Sequence, residues 1–172
     1  MFSARGLFFF GFLFCTSMLC IAAYFQMVVH LEPCPLCILQ RLFTFVVGII
    51  LLIAVLHNPS TTGFKIYGFI AGIAALIGAA ISARHVWLQQ LPADQVPSCG
   101  PGLDFMLGNF PLAEAVNMVL RGSGECAEVL WTLYGLSIPA WTLIAFLLLA
   151  LISFSQAFRK YNDLELLNLR FK

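Results

Sequence analysis

Cysteine is the side chain best able to pass an electron pair directly to another side chain, and Cys34-Pro35-Leu36-Cys37 sets two of them at the spacing of an easily opened disulfide. Arg41 follows four residues after Cys37, inside a long apolar run. On a helix that cation lies one turn from Cys37 on the same face, where positive charge favours a thiolate. Pro35 suits a first-turn position, so unpaired backbone N–H groups and the helix dipole would also favour negative sulfur there. Cys99 and Cys126 lie in the one long polar region. The four cysteines together suggest transfer of oxidising equivalents between two disulfides.

The elements that must position them are set by composition. The chain is 61% hydrophobic and only 10% charged, with a mean hydropathy of +0.95. A soluble domain carries roughly a quarter charged residues, so this is an integral membrane protein. A formal net charge of +1 over 172 residues gives no basic surface for nucleic acid. Four runs reach bilayer length, at about 7–29, 36–56, 66–83 and 138–158, and Arg41 is the only charge within them. Residues 84–137 form one long polar loop and 159–172 a tail. Gly68, Gly72, Ala75, Ala79 and Ser82 keep one side of the third run small, which favours close helix packing. The expected fold is an all-α membrane protein, one integral domain over 1–172. It is a four-transmembrane-helix bundle with a short interfacial helix in the outer loop.

Basic residues set the orientation. Arg5, Lys65, Arg159, Lys160, Arg170 and Lys172 collect on the side of the termini, against Arg84 and Arg121 on the other. Both termini are therefore expected in the cytoplasm and all four redox cysteines outside, where disulfides persist. The first run, uncharged over 7–29 and without a small-x-small cleavage site, reads as a retained span rather than a signal peptide. Leu19 before Cys20 is too bulky for lipoprotein processing. Cys15 and Cys20, inside that span, read as small apolar core residues.

In the loop, Leu112, Ala115, Val116, Val119 and Leu120 share one helical face opposite Glu114, Asn117 and Arg121, the pattern of a short helix lying in the interface. Pro92, Pro97, Gly100, Pro101, Gly102, Gly122 and Gly124 flank it, so Cys99 and Cys126 are expected in mobile backbone. Trp87, Trp131 and Trp141 fall near span ends as interfacial anchors.

Arg41 would sit roughly 9 Å beyond Pro35, deep enough to demand a partner. Snorkelling to the headgroups is one answer. The other is a membrane-soluble electron acceptor beside Cys37, and an aromatic quinone fits: a thiolate can donate into it and the cation can hold its reduced oxygen. Two static bridges bracing the loop would explain Cys99 and Cys126, but not a CxxC at a helix start above an intramembrane arginine. A Cys₄ zinc site usually needs two close pairs, and Cys99 and Cys126 are far apart, so no metal is expected.

Three stretches carry a family resemblance: Glu32-Pro33-Cys34-Pro35-Leu36-Cys37-Ile38-Leu39-Gln40-Arg41, Gly124-Glu125-Cys126-Ala127-Glu128, and Trp131 through Gly135-Leu136-Ser137-Ile138-Pro139-Ala140-Trp141. Over essentially its whole length the chain resembles the disulfide bond formation protein B (DsbB) family. The resemblance implies a bacterial inner-membrane oxidoreductase that reoxidises a soluble periplasmic thioredoxin-fold oxidase of the DsbA type. Its electrons would go to ubiquinone, or to menaquinone when oxygen is scarce. It further implies that Cys99 takes the mixed disulfide with the oxidase, that Cys126 is its loop partner, and that Cys34 and Cys37 form the pair facing the quinone. Cys37 and Arg41 would contact the quinone, with His85 near it. Gly100-Pro101-Gly102-Leu103 departs from a family member in which the loop cysteine joins a similar Asp-Phe-Met directly, and bears on which oxidase is served. Two alternatives are a vitamin K epoxide reductase-like enzyme, whose redox pair commonly lies toward the end of a later span, and a non-catalytic scaffold with two static disulfides.

Overall fold

A computed structural model of the protein describes residues 4–92, 94–96, 105 and 108–159, with the backbone alone at 112 and 115. Cys99, the 100–103 segment and the tail beyond 159 lie outside the described residues.

Among the described residues there are four long helices: α1 (Ala4–Met27), α2 (Pro35–His57), α3 (Thr61–Leu88) and, after the loop elements, α6 (Ile138–Ala157). The shortest has 20 residues, about 30 Å of helix, which matches the hydrocarbon thickness. Between α3 and α6 come α4 (Leu112–Arg121), α5 (Gly124–Ala127) and a two-stranded hairpin, β1 (Thr132–Leu133) with β2 (Leu136–Ser137). The architecture is an all-α membrane bundle carrying one minimal sheet. Tyr134 and Gly135 turn the hairpin, both at positive φ, which the right-handed twist of the strands requires. Trp141 Nε1 donates to the Leu133 carbonyl at 3.2 Å and straps the hairpin to α6.

Helix ends follow local chemistry. α2 starts with Pro35 in its first turn and stops at Asn58, whose left-handed backbone (φ 43) closes the last turn by donating to the Ala54 carbonyl. Nothing breaks α3 until after Leu88, so the helix runs from 61 to 88 and outlasts the apolar run of 66–83. Its length, about 42 Å, carries Arg84 and His85 beyond the apolar run on rigid helix rather than loop.

α1 packs on α2, α2 on α3 and α3 on α6. Arg5 Nε donates to the Val55 carbonyl at 3.1 Å, joining the start of α1 to the end of antiparallel α2. Along α3 and α6 the backbones come very close. A side chain at Gly68 would meet the Ser153 carbonyl, and one at Gly78 would strike the buried Phe146 ring. Between α1 and α2 the close approaches include Leu51 against Gly11 and Cys15 against Gly48. Cys20 is not in that core: it is exposed, because five residues turn a helix by about 140° from Cys15. Large apolar side chains such as Phe9, Phe45, Ile53, Ile70 and Leu151 cover the outside, a surface suited to lipid.

The apolar face of α4 is divided. Val119 is buried and Met118 packs beside it against the bundle, whereas Val116 and Leu120 stay exposed.

Candidate functional site

The site grows from the start of α2. Cys34 is its N-cap residue, with extended backbone, and its sulfur accepts the Cys37 N–H at 3.4 Å. Capping folds the two sulfurs together, 3.0 Å apart with both cysteines free. Cys34 is buried and Cys37 half-buried. The last turns of α3 supply His85, 2% exposed, whose Nε2 lies 3.8 Å from the Cys34 sulfur. Its Nδ1 is 3.3 Å from Gln40 Nε2, a buried amide on α2.

Cys126 enters from α5. Instead of sitting in mobile backbone, it is fully buried in one apolar cluster with Cys34, Leu36, Ile81, Leu88 and Val119. Its thiol is pushed well above the ordinary range, first by donating a hydrogen bond to Cys34 and next by burial. Backbone hydrogen bonds from Ser123 and Leu36 act the other way. The Leu36 contact brings this sulfur as well to the N-terminal turn of α2. Ser123 Oγ lies 3.7 Å from the Cys126 sulfur.

Polar and steric contacts add to this docking of the loop. Arg84 donates to the carbonyls of Leu120 at 3.4 Å and Arg121 at 3.2 Å, capping the negative end of α4, and its guanidinium lies over the Trp87 ring at 4.3 Å. Gly122 has φ +84, and any side chain there would collide with Leu88. Ser137 Oγ donates to Gln89 Oε1 at 2.6 Å, joining the loop's return to the end of α3.

Arg41 reaches sideways to α1. Its Nη1 donates to Gln26 Oε1 and its Nη2 to the Ala22 carbonyl at 3.2 Å. The partner demanded by its depth is thus a neutral pair of acceptors on the neighbouring helix. Beside Gln26 a cleft of about 250 Å³ opens between His30, Leu31, Glu32 and Pro33. Of the residues expected from sequence, Cys34, Cys37, Cys126 and His85 come together; Arg41 stands one turn below Cys37; Cys99 lies outside the described residues.

Two site residues escaped the sequence reading as contributors, Gln40 and Gln26. Their signal was present: each is a lone amide in or beside an apolar span, a costly placement that marks a polar contact.

The family profile described as "DsbB: Disulfide bond formation protein DsbB" matches residues 4–156. The chain belongs to the DsbB family. It is 58% identical to disulfide bond formation protein B of Nitrosococcus oceani, over 90% of this chain and 91% of the relative. The protein of that name from Hahella chejuensis is 52% identical over 83% and 87%. That of Methylococcus capsulatus is 50% identical over 90% and 94%. As a DsbB-family member the chain is a multi-pass membrane disulfide oxidoreductase acting in disulfide bond formation.

Proposed function

We propose that this DsbB-family protein reoxidises a soluble periplasmic thioredoxin-fold dithiol oxidase of the DsbA type and passes the electron pair through its two cysteine pairs to a membrane quinone, ubiquinone or menaquinone. The observation that carries the reading is the buried contact between Cys126 and Cys34 at the start of α2. Bracing disulfides have no use for a loop sulfur set against a CxxC.

Exchange then proceeds thiolate by thiolate. A thiolate of the reduced oxidase attacks Cys99 in a Cys99–Cys126 disulfide, forming a mixed disulfide and releasing the Cys126 thiolate. Cys126 attacks its neighbour Cys34, breaking Cys34–Cys37 and leaving Cys37 as a thiolate. The oxidase's second thiol resolves the mixed disulfide, and the freed Cys99 attacks Cys126, restoring the loop disulfide and releasing Cys34. The oxidase leaves with a disulfide; its two electrons and two protons stay on Cys34 and Cys37. His85 Nε2 faces Cys34, so it holds or moves the proton at that sulfur.

A quinone site needs a reachable sulfur and a hydrogen-bond donor at the edge of the bilayer. Cys37 is less buried than Cys34, and the outer face of α2 beside Arg41 carries exposed Leu42 and Phe45, open to lipid. The residues present fit the group. When bound, the quinone supplies a two-electron, two-proton acceptor for the dithiol. Cys37 is the sulfur on its side, Arg41 provides positive charge there, and Gln26 with the Ala22 carbonyl fixes that guanidinium. Both nitrogens of His85 are engaged by Cys34 and Gln40, which favours a role at Cys34 over direct contact with the quinone.

The chain works as one integral unit in the bacterial inner membrane, with cytoplasmic termini and periplasmic cysteines; the basic residues at the terminal side support that orientation. The test is anaerobic mixing of the purified protein with reduced thioredoxin-fold oxidase while quinone absorbance is followed. One quinone reduced per oxidase oxidised is expected; oxidase oxidation without quinone reduction would sink the reading.

A further inference from the structure

We propose that the reduced protein binds a thiophilic divalent cation, Zn²⁺ or its relative Cd²⁺, through Cys34 Sγ, Cys37 Sγ and His85 Nε2, and that formation of the Cys34–Cys37 disulfide abolishes this site. The three donor atoms lie within 4.8 Å of one another. Around a tetrahedral ion with Zn–S near 2.3 Å, two ligand atoms stand about 3.8 Å apart. With Zn–N near 2.0–2.1 Å a sulfur and a nitrogen stand about 3.6 Å apart, and Cys34 Sγ and His85 Nε2, at 3.8 Å, are close to that separation. The sulfurs, at 3.0 Å, need to open by less than about 1 Å, within reach of side-chain rotation on a helix start.

Sequence spacing disfavoured zinc because Cys99 and Cys126 are far apart. The third donor comes from elsewhere: His85 is 51 positions from Cys34 and reaches it only because α3 continues past the apolar run. A histidine ligand needs its other nitrogen held, and Gln40 holds Nδ1. With its amide turned so that Oε1 accepts Nδ1–H, the lone pair sits on Nε2, aimed at the sulfurs. Charge fits as well. Two thiolates and a neutral imidazole cancel a divalent cation, so the partly buried site ends neutral and two thiol protons leave to water. No electron moves. The remaining position belongs to water.

The proposal is independent of which oxidase or acceptor the protein serves. Full-length protein in detergent, reduced anaerobically and freed of reductant, is titrated with Cd²⁺ while the ultraviolet thiolate-to-cadmium absorbance is read, and Zn²⁺ is then added as competitor. One Cd²⁺ per chain in the reduced protein, displaced by Zn²⁺, and no such absorbance in the oxidised protein is the expected result. Cys99→Ser should keep that stoichiometry. His85→Gln should weaken Cd²⁺ binding by more than about tenfold, and Gln40→Leu by roughly tenfold with the absorbance retained. Absence of the absorbance from the reduced protein, its loss in Cys99→Ser, or unchanged affinity in His85→Gln each overturns the site. Quinone reduction by metal-free protein is read separately and is untouched by any of these results.

Discussion

Cys34 and Cys37 are three positions apart with their sulfurs in contact, yet they face different surroundings. Cys34 is enclosed by protein: Cys126, His85 and Leu88 cover it, and two of these come from α3 and one from the docked loop. Cys37 is half-buried and sits above Arg41, which reaches to α1 at the lipid-facing side of α2. One helical start therefore separates two kinds of chemistry by the direction in which each sulfur points. The enclosed sulfur meets another protein sulfur and excludes water, while the open one is the sulfur that the proposed reaction assigns to the quinone.

The most severe way to break this division is to remove each sulfur in turn. Cys34→Ser and Cys37→Ser should both lose turnover, by roughly a thousandfold or more. They should differ in what accumulates. With Cys37 gone, a Cys34–Cys126 disulfide should build up, visible by mass spectrometry of non-reduced digests. With Cys34 gone, no Cys37–Cys126 link should replace it, since Cys126 contacts Cys34. Equal amounts of the two links would mean that the sulfurs are interchangeable.

Arg41 tests the open side. Arg41→Met should insert normally and still exchange disulfides with reduced oxidase, but its turnover at limiting quinone should drop by about ten- to a hundredfold, the worth of a charge-assisted contact. Arg41→Lys keeps charge without the planar fork and should fall between the two. Gln26→Leu, which leaves the guanidinium charged and held only by the Ala22 carbonyl, should show a smaller loss of the same kind. Full turnover by Arg41→Met would leave the arginine a purely structural clasp between α1 and α2.

Spacing alone related the residues of the open side, whereas those of the enclosed side were named only through the family resemblance and their burial together was not legible, for physical reasons. CxxC, Pro35 and Arg41 are local: helix periodicity alone relates them, so spacing was enough. The small stripe from Gly68 to Ser82 also declared itself, because close backbone approach leaves few residue types to choose from. Burial of Cys126 depends on tertiary docking instead. The glycines around it suggested mobility, but Gly122 is there because its backbone conformation and the Leu88 side chain exclude anything larger. Arg84 counted in sequence only as a charge, and its use as a cap on α4 follows from the extra length of α3.

Docking of the loop is accordingly the next point of attack. Gly122→Ala forces a side chain into a conformation reserved for glycine and against Leu88, at a cost of about 1–3 kcal/mol. In the reduced protein, site-specific alkylation of Cys126 should speed up by roughly fivefold or more, the factor that the lower figure gives. Arg84→Met, which removes only the cap on α4, should act in the same direction and less strongly. Unchanged alkylation in both variants would mean that burial of Cys126 does not depend on these contacts.

The smallest effect lies in the titration of Cys126. In the reduced protein its pKa is raised, chiefly by the hydrogen bond to Cys34 and then by burial. A raised pKa means less thiolate at any given pH, so Cys126 should alkylate more slowly than a free cysteine. Its rate should still climb where an ordinary thiol, with a pKa of about 8.5, levels off. Cys34→Ala deletes the hydrogen bond and leaves most of the apolar enclosure, so the profile should move toward lower pH without reaching that of a free thiol. Mass spectrometric readout keeps Cys37 out of the measurement. A profile identical in the parent and in Cys34→Ala would mean that burial alone sets the titration, and the contact between Cys126 and Cys34 would lose its place in the exchange.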